Sequence, residues 1–175
     1  MVSSKTSKMP NSLLSSFEFR KALGHFTTGV TVVTVEREPG KIHGMTANSF
    51  TSVSLDPMLI LVCVDQRAKM LRLLQKEKRF GISVLKQNQQ AVSEYFAKRE
   101  HSVEAEQRLG IHMRRTLGGV LVIDGALLQM SCKVIASHLA GDHTIFVGEV
   151  QDAEMNEGEP LVYFRGEYRK IARHS

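Results

Sequence analysis

The stretch Ala126-Leu-Leu-Gln-Met-Ser-Cys-Lys-Val-Ile-Ala136 decides the fold class. Its apolar side chains stand on alternate positions from Leu128 to Ala136, which is the period of a β-strand with one buried face. Residues 120–123 before it, and residues 143–150 and 161–171 after it, have the same strand character and are separated only by turn sequences. Successive strands without helices between them indicate an antiparallel, mainly β protein.

The first half of the chain mixes strands with helices. Residues 30–35 are β-branched throughout, and the Pro39-Gly40 turn returns the chain as residues 41–47, which predicts a hairpin. Residues 50–55 predict a further strand. The apolar run at residues 58–64 predicts another, buried on both faces.

Three helices are predicted beside these strands, at residues 15–26, 67–78 and 87–98, from apolar residues at helical spacing. The first opens with a Ser15–Glu18 capping box, and Phe19, Leu23 and Phe26 form an expected core-facing stripe. Polar residues 99–115 predict an irregular segment.

About seven strands with short turns predict a split antiparallel β-barrel with a few peripheral helices, because closure removes exposed sheet edges. A doubly wound α/β fold is the alternative, but it requires regular alternation of strands and helices. We expect one domain over residues 15–173, preceded by a flexible tail over residues 1–14 that is rich in Ser and Lys.

Composition limits the class of protein. The chain has 175 residues, of which 42% are hydrophobic and 23% are charged, an ordinary globular composition. The longest apolar run is too short to cross a membrane, and the N-terminal segment has no apolar signal region, so we expect a cytoplasmic protein. Cys63 and Cys132 lie within strand patterns and are expected to be reduced thiols, with no spacing that suggests zinc.

The net charge does not decide which kind of partner the protein binds. A net charge of +5 permits an anionic partner. The sequence nevertheless contains no nucleic-acid motif and no cluster of aromatic residues on a basic strand. Dinucleotide and P-loop glycine motifs are absent as well, as are the HExxH and GxSxG motifs.

Hydroxyl side chains concentrate between Thr46 and Ser54. Short uncharged donors and acceptors on a strand suit the edge of a polar heterocycle. The alternative is that they occupy the solvent face of that strand. Soon after the next strand, Arg67 and Lys69 open a helix whose N-terminal amides form a potential phosphate site. The alternative here is a solvated first helical turn.

A third candidate is the turn Gly141-Asp142-His143. It places an imidazole where it could contact a ligand lying over a barrel, although a lone loop histidine is often only a surface residue. His138 lies nearby in the sequence, but the spacing of the three polar residues fits no well-defined metal site.

Taken in order, these segments resemble the flavin reductase-like, FMN-binding split-barrel family, and in particular the reductase components of two-component flavin-dependent monooxygenases. The resemblance covers residues 17–171. It rests on Phe19-Arg20, residues 28–34, residues 43–57, residues 80–85, Gly141-Asp-His143 and residues 163–168.

The resemblance implies a homodimer that binds FMN or FAD, oxidises NADH or NADPH and supplies reduced flavin to a partner oxygenase. It implies no catalytic acid or base and no metal. It assigns the nicotinamide to Asp142 and His143. The implied flavin-binding residues are Thr31, Thr46, Ala47, Asn48, Ser49, Ser52, Val53, Ser54, Arg67, Ala68, Lys69 and Phe80.

This sequence departs from the family pattern at three places. Asp56-Pro57-Met58 stands where Pro-Pro is frequent, Ser83 where Asn is frequent, and residues 67–69 where small hydroxyl residues are frequent. A non-catalytic flavin-binding electron carrier is the alternative function, and a nucleic-acid-binding barrel has only net charge in its favour.

Overall fold

The structure is a computed structural model that describes residues 14–171. The predicted tail therefore lies, except for Leu14, outside the described residues. The helices are α1 (Ser16–Leu23), α2 (Lys69–Glu77), α3 (Gln90–Phe96) and α4 (Val103–Arg108). The strands are β1 (Thr28–Gly29), β2 (Thr31–Glu38), β3 (Lys41–Ala47), β4 (Phe50–Leu55), β5 (Met58–Asp65), β6 (Arg79–Val84), β7 (Met113–Arg115), β8 (Leu121–Ile123), β9 (Leu128–Ala140), β10 (His143–Met155), β11 (Val162–Phe164) and β12 (Glu167–Arg169).

One seven-stranded sheet dominates the fold, in the order β3-β2-β6-β9-β10-β5-β4. Every neighbouring pair in it is antiparallel. The mainly β, antiparallel fold predicted from the sequence is confirmed. No helix within residues 14–171 has the length and apolar character needed to cross a membrane.

The sheet curls round on itself until its edge strands β3 and β4 meet. A flat sheet of seven strands would be about 28 Å wide at about 4.7 Å per strand. Yet only Asn48 and Ser49 connect the two edges, and such a link spans about 10 Å at most. Among the described residues no ladder joins β3 to β4, so the barrel stays split along this line, which we call the seam.

Two apolar clusters hold the barrel, and β2 contributes to both. Val33 and Val35 pack in the first cluster with Met70 and Leu74 of α2. Val32 packs in the second, with residues of α3 and β8. Thus α2 and α3 pack on opposite faces of β2.

Local structure follows the sequence predictions in several places. The β2–β3 hairpin turns at residues 39–40, and the Ser15–Glu18 capping box is present. Two other segments differ from their predictions. Residues 99–115 were predicted to be irregular, but Ser102 caps helix α4 there and β7 pairs with β8. The predicted strand at residues 161–171 is the β11–β12 hairpin, since Arg165 and Gly166 adopt positive φ angles and turn the chain.

Two burial predictions were wrong. Phe19, Leu23 and Phe26 do not enter the core: α1 has no buried residue, and Phe26 is 76% exposed. β5 is not buried on both faces, because Ile60, Val62 and Val64 point inward while the alternate residues stay partly exposed.

Candidate functional site

A cavity of about 470 Å³ lies between β3, the start of α2 and the end of α3. Thr46 of the hydroxyl-rich segment lines it together with Arg67, Ala68 and Lys69. The hydroxyl-rich segment and the start of α2, which flank one strand in the sequence, therefore face one space. Its volume lies within the range of about 300–1,000 Å³ that is usual for small-molecule sites.

A second, smaller cavity of about 210 Å³ continues this space towards the seam. The two cavities share Thr46 and Ala97, and the smaller one is also lined by Ala47 and Asn48. Its far wall carries Tyr163 and Tyr168, whose ring centroids are 5.4 Å apart. The two cavities form one groove that runs from the seam to α2.

The hydroxyl groups near the seam hydrogen-bond to the backbone. Thr46 Oγ1 donates to the Ser93 carbonyl at 2.7 Å, and Ser49 Oγ donates to the Cys63 carbonyl at 2.9 Å. Their protons are committed to these bonds, so the oxygens remain available to a ligand only as acceptors. Their first effect is to fix the seam backbone.

Thr31 requires a correction. It was assigned to flavin, but it is a buried residue of β2 whose Oγ1 donates to the Ala47 carbonyl at 2.7 Å. A buried hydroxyl that is already bonded has no surface for a ligand. Thr31 acts on the site by holding the end of β3.

Several lining residues were missed by the sequence analysis: His43, Gly44, Met45 and residues 96–99. Gly44 permits the close contact of β3 with α3, since a Cβ atom at position 44 would lie 2.3 Å from Phe96 Cδ1. An isolated glycine inside a strand pattern is typical of such close backbone approach. Gly44 was therefore the available sequence signal.

The start of α2 offers unsatisfied hydrogen-bonding capacity to the cavity. Ala68 occupies the N-cap position and has no side chain to cap the helix. Lys69 follows it, and among the described residues no carboxylate pairs with its ammonium group. A helix N-terminus of this kind beside a cation favours an anion, as the phosphate prediction requires.

Arg67 differs from Lys69 because Asp65 already binds it. Its Nη2 lies 2.7 Å from Asp65 Oδ2, and its backbone N–H donates to Asp65 Oδ1 at 2.7 Å. Hydrogen bonds from the Arg67 side chain and backbone hold the pKa of the Asp65 carboxyl well below its usual range. The charge of Arg67 is thus largely balanced within the protein.

The Gly141–His143 turn lies beside this ion pair. The β10–β5 ladder places His143 opposite Asp65, and the Gln66 N–H donates to the Asp142 carbonyl at 2.9 Å. His143 Nδ1 donates to Asp142 Oδ1 at 2.7 Å, and this bond lowers the pKa of Asp142. The turn therefore lies beside the start of α2, at the same end of the barrel as the groove, although neither Asp142 nor His143 lines the two cavities.

Six residues assigned to flavin do not line the groove: Thr31, Ser49, Ser52, Val53, Ser54 and Phe80. Ser52, Val53 and Ser54 lie on β4 beyond the seam, where a register shift separates Ser52 from Ser54. They stay a prediction. Phe80 requires a correction: its side chain is 0% exposed and packs in the first apolar cluster, so it has no surface to offer a flavin.

The histidine and carboxylate side chains of this region do not form a metal centre. Within residues 14–171, no three His, Cys, Asp or Glu side chains converge as metal ligands would. The donor set that does converge consists of backbone amides, hydroxyl oxygens and cations. Such a set fits a phosphorylated heterocycle better than a metal ion.

Comparison with known proteins agrees with this site chemistry. The chain is 43% identical to an NADH-dependent flavin reductase from Rhodococcus sp over 90% of this chain and 88% of that protein. It is 39% identical to the reductase component of 4-hydroxyphenylacetate 3-monooxygenase from Thermus thermophilus, over 87% and 95%.

A solved structure of Streptomyces globisporus NADH:FAD oxidoreductase SgcE6, in complex with NAD and FAD fragments, superposes with a TM-score of 0.81. Its sequence is 38% identical, and the match covers 89% of this chain and 92% of that one. The family model of the flavin reductase like domain matches residues 23–172. The chain therefore belongs to the flavin reductase-like family.

Proposed function

We propose that this protein is an NAD(P)H-dependent flavin reductase that transfers a hydride to FMN or FAD and passes the reduced flavin to a partner monooxygenase. The observation that carries the proposal is the groove that joins Thr46, Ala47 and Asn48 to the uncapped start of α2. Relatives that are named as flavin reductases and as the reductase component of a monooxygenase support it.

The residues present fit a flavin nucleotide. The seam backbone, fixed by Thr31, Thr46 and Ser49, would hold the polar edge of the isoalloxazine and the ribityl chain. Ser52, Val53 and Ser54 on β4 would complete that side of the site. The amides at the start of α2, with Lys69 and Arg67, would hold the phosphate.

The protein needs little acid–base chemistry for this reaction. When bound, the flavin accepts a hydride from the dihydronicotinamide and so carries the redox chemistry. The chain would contribute position and electrostatics, and His143 would seat the nicotinamide in an orientation fixed by Asp142. No residue of this chain is assigned as a catalytic acid or base.

The homodimer is part of this proposal, and the exposed apolar residues support it. Phe17, Phe19, Leu23 and Phe26 on and after α1 are more than half exposed. An apolar surface of this kind is typical of a protein–protein interface. The stripe that was predicted to enter the core would instead be buried by a second copy of the chain.

We also place the protein in the cytoplasm. Cys63 and Cys132 are both free thiols, which suits a reducing compartment. A reductase that supplies a diffusing reduced flavin would work there beside its oxygenase.

The test is oxidation of NADH and NADPH by purified protein, with and without added FMN or FAD. Fast oxidation that depends on flavin, together with product formation when a flavin-dependent oxygenase is added, is the expected result. A protein that binds flavin but oxidises either nicotinamide only slowly would instead be an electron carrier, and the proposal would be rejected.

A further inference from the structure

The groove does not end at α2. A further cavity of about 400 Å³ adjoins the first and shares His43, Lys69 and Arg99 with it. Strand β3 runs along all three cavities, with residues 46–48, 43–46 and 41–43 lining them in turn. From Thr46 to Lys41 the strand covers roughly 16 Å at about 3.3 Å per residue.

This adjoining cavity, which we call the distal cavity, is lined by more cations than anions. Arg37, Lys41, Lys69 and Arg99 are its basic residues, whereas Glu100 and Glu106 are its acidic ones. Lys41 is paired with Glu38 at 2.7 Å. Within the part of the chain that the structure describes, no carboxylate pairs with Arg37, Lys69 or Arg99.

His43 lies in this positive field. Burial is the main cause that lowers the pKa of His43 to about 4, and the nearby His101, Lys69 and Arg37 contribute to that shift. His43 is therefore neutral at pH 7, and its neighbours leave uncompensated positive charge between the two cavities. An anion bound there would be stabilised by that charge.

FMN has a single phosphate group, and a phosphate bound at the start of α2 would leave the basic residues of the distal cavity without a ligand. We propose that the distal cavity binds the adenylate half of FAD, so that this reductase prefers FAD to FMN. The inference rests on the proposed function and adds the flavin class to it.

Each part of an adenylate group finds a matching side chain in the distal cavity. Arg37, which has no carboxylate partner among the described residues, is placed to bind the second phosphate as a charge-assisted donor, and Lys41, whose charge Glu38 balances in part, adds to it. Glu100 offers a carboxylate, which is a frequent acceptor for ribose hydroxyls in nucleotide sites. The rings of His43 and His101 line the cavity with centroids 5.6 Å apart and planes tilted by 40°, and each offers an aromatic surface on which a purine could pack.

The test compares FAD and FMN binding to the full protein and to Arg37→Ala/Lys41→Ala, by quenching of flavin fluorescence. Both residues are exposed, and neither of them lines the two cavities of the groove that lie nearer the seam. The matched control is Arg72→Ala/Lys76→Ala on α2. Within residues 14–171, Arg72 has no ion pair and Lys76 is paired with the neighbouring Glu77, so the control removes the same kinds of charge. Both residues lie outside all three cavities.

We expect the unmodified protein to bind FAD about tenfold more tightly than FMN. In Arg37→Ala/Lys41→Ala the affinity for FAD should fall about tenfold, whereas the affinity for FMN should not change. The KM for NADH, measured with FMN as acceptor, should not change. Equal affinity for both flavins, an equal loss of affinity in the control, or a rise in the KM for NADH would overturn the inference. Absence of NADH oxidation with either flavin would overturn the proposed function itself.

Discussion

Asp65 binds the guanidinium group of Arg67 through two side-chain hydrogen bonds, from Nε to Oδ1 at 3.0 Å and from Nη2 to Oδ2 at 2.7 Å. The same carboxylate lies opposite His143 in the β10–β5 ladder. The pair therefore stands between the proposed phosphate and nicotinamide positions. It removes much of the charge that Arg67 would otherwise offer to a ligand.

This pairing predicts unequal effects at the start of α2. Lys69→Ala should weaken FMN binding about tenfold, because it removes an unpaired cation from the cavity. Arg67→Ala should weaken it only about twofold, since Asp65 already balances the arginine. Fluorescence titration with FMN, and with riboflavin, which has no phosphate, gives the comparison. An equal loss of riboflavin affinity in Lys69→Ala would contradict a phosphate role.

His143 should affect the nicotinamide more than the flavin. His143→Ala removes the imidazole that Asp142 holds in place, so the KM for NADH should rise about fivefold while flavin affinity stays within about twofold. Steady-state kinetics at saturating flavin measure the first quantity, and a binding titration measures the second. A larger change in flavin affinity than in KM would reject this role.

Gly44 should be required for the contact between β3 and α3. Gly44→Ala places a methyl group 2.3 Å from Phe96 Cδ1, which should lower the free energy of unfolding by about 1–3 kcal/mol. Gly29→Ala is the control, because a Cβ atom there meets nothing within 4 Å. Urea unfolding of both variants measures the difference, and equal stability would show that the contact relaxes without cost.

The exposed side of α1 should form part of a dimer interface. Phe19→Ser/Leu23→Ser should shift the protein towards monomer, because it removes apolar area that a second copy would bury. Leu117→Ser removes a leucine that is 99% exposed elsewhere and should leave the dimer intact. Sedimentation at several concentrations measures the association. A monomeric unmodified protein, or an unchanged dimer in the α1 variant, would contradict the assignment.

The sequence predicted the fold because its local patterns agree with one another. Alternation in β9 and β10, the turn at residues 39–40 and the capping box at Ser15 each predict what the structure contains. It could not predict that the apolar stripe of α1 stays outside the core. A stripe that is proposed to pack on a second chain has the same helical spacing as one that packs on its own core.

The site was predicted in part. The sequence pointed to Thr46, Lys69 and His143, and the structure brings their segments to one end of the barrel. It could not show that the hydroxyls of Thr31 and Thr46 bond to the backbone, because those partners depend on strand register and on the position of α3. For the same reason it missed His43 and residues 96–99 as lining residues.

Anaerobic rapid mixing of the protein and FMN or FAD with NADH tests the central claim most directly. The account predicts that flavin absorbance bleaches as NADH is consumed, one equivalent for one, and that Lys69→Ala slows this when flavin is below saturation. Consumption of NADH without flavin reduction, or no consumption at all, would contradict the assignment of this groove to flavin reduction.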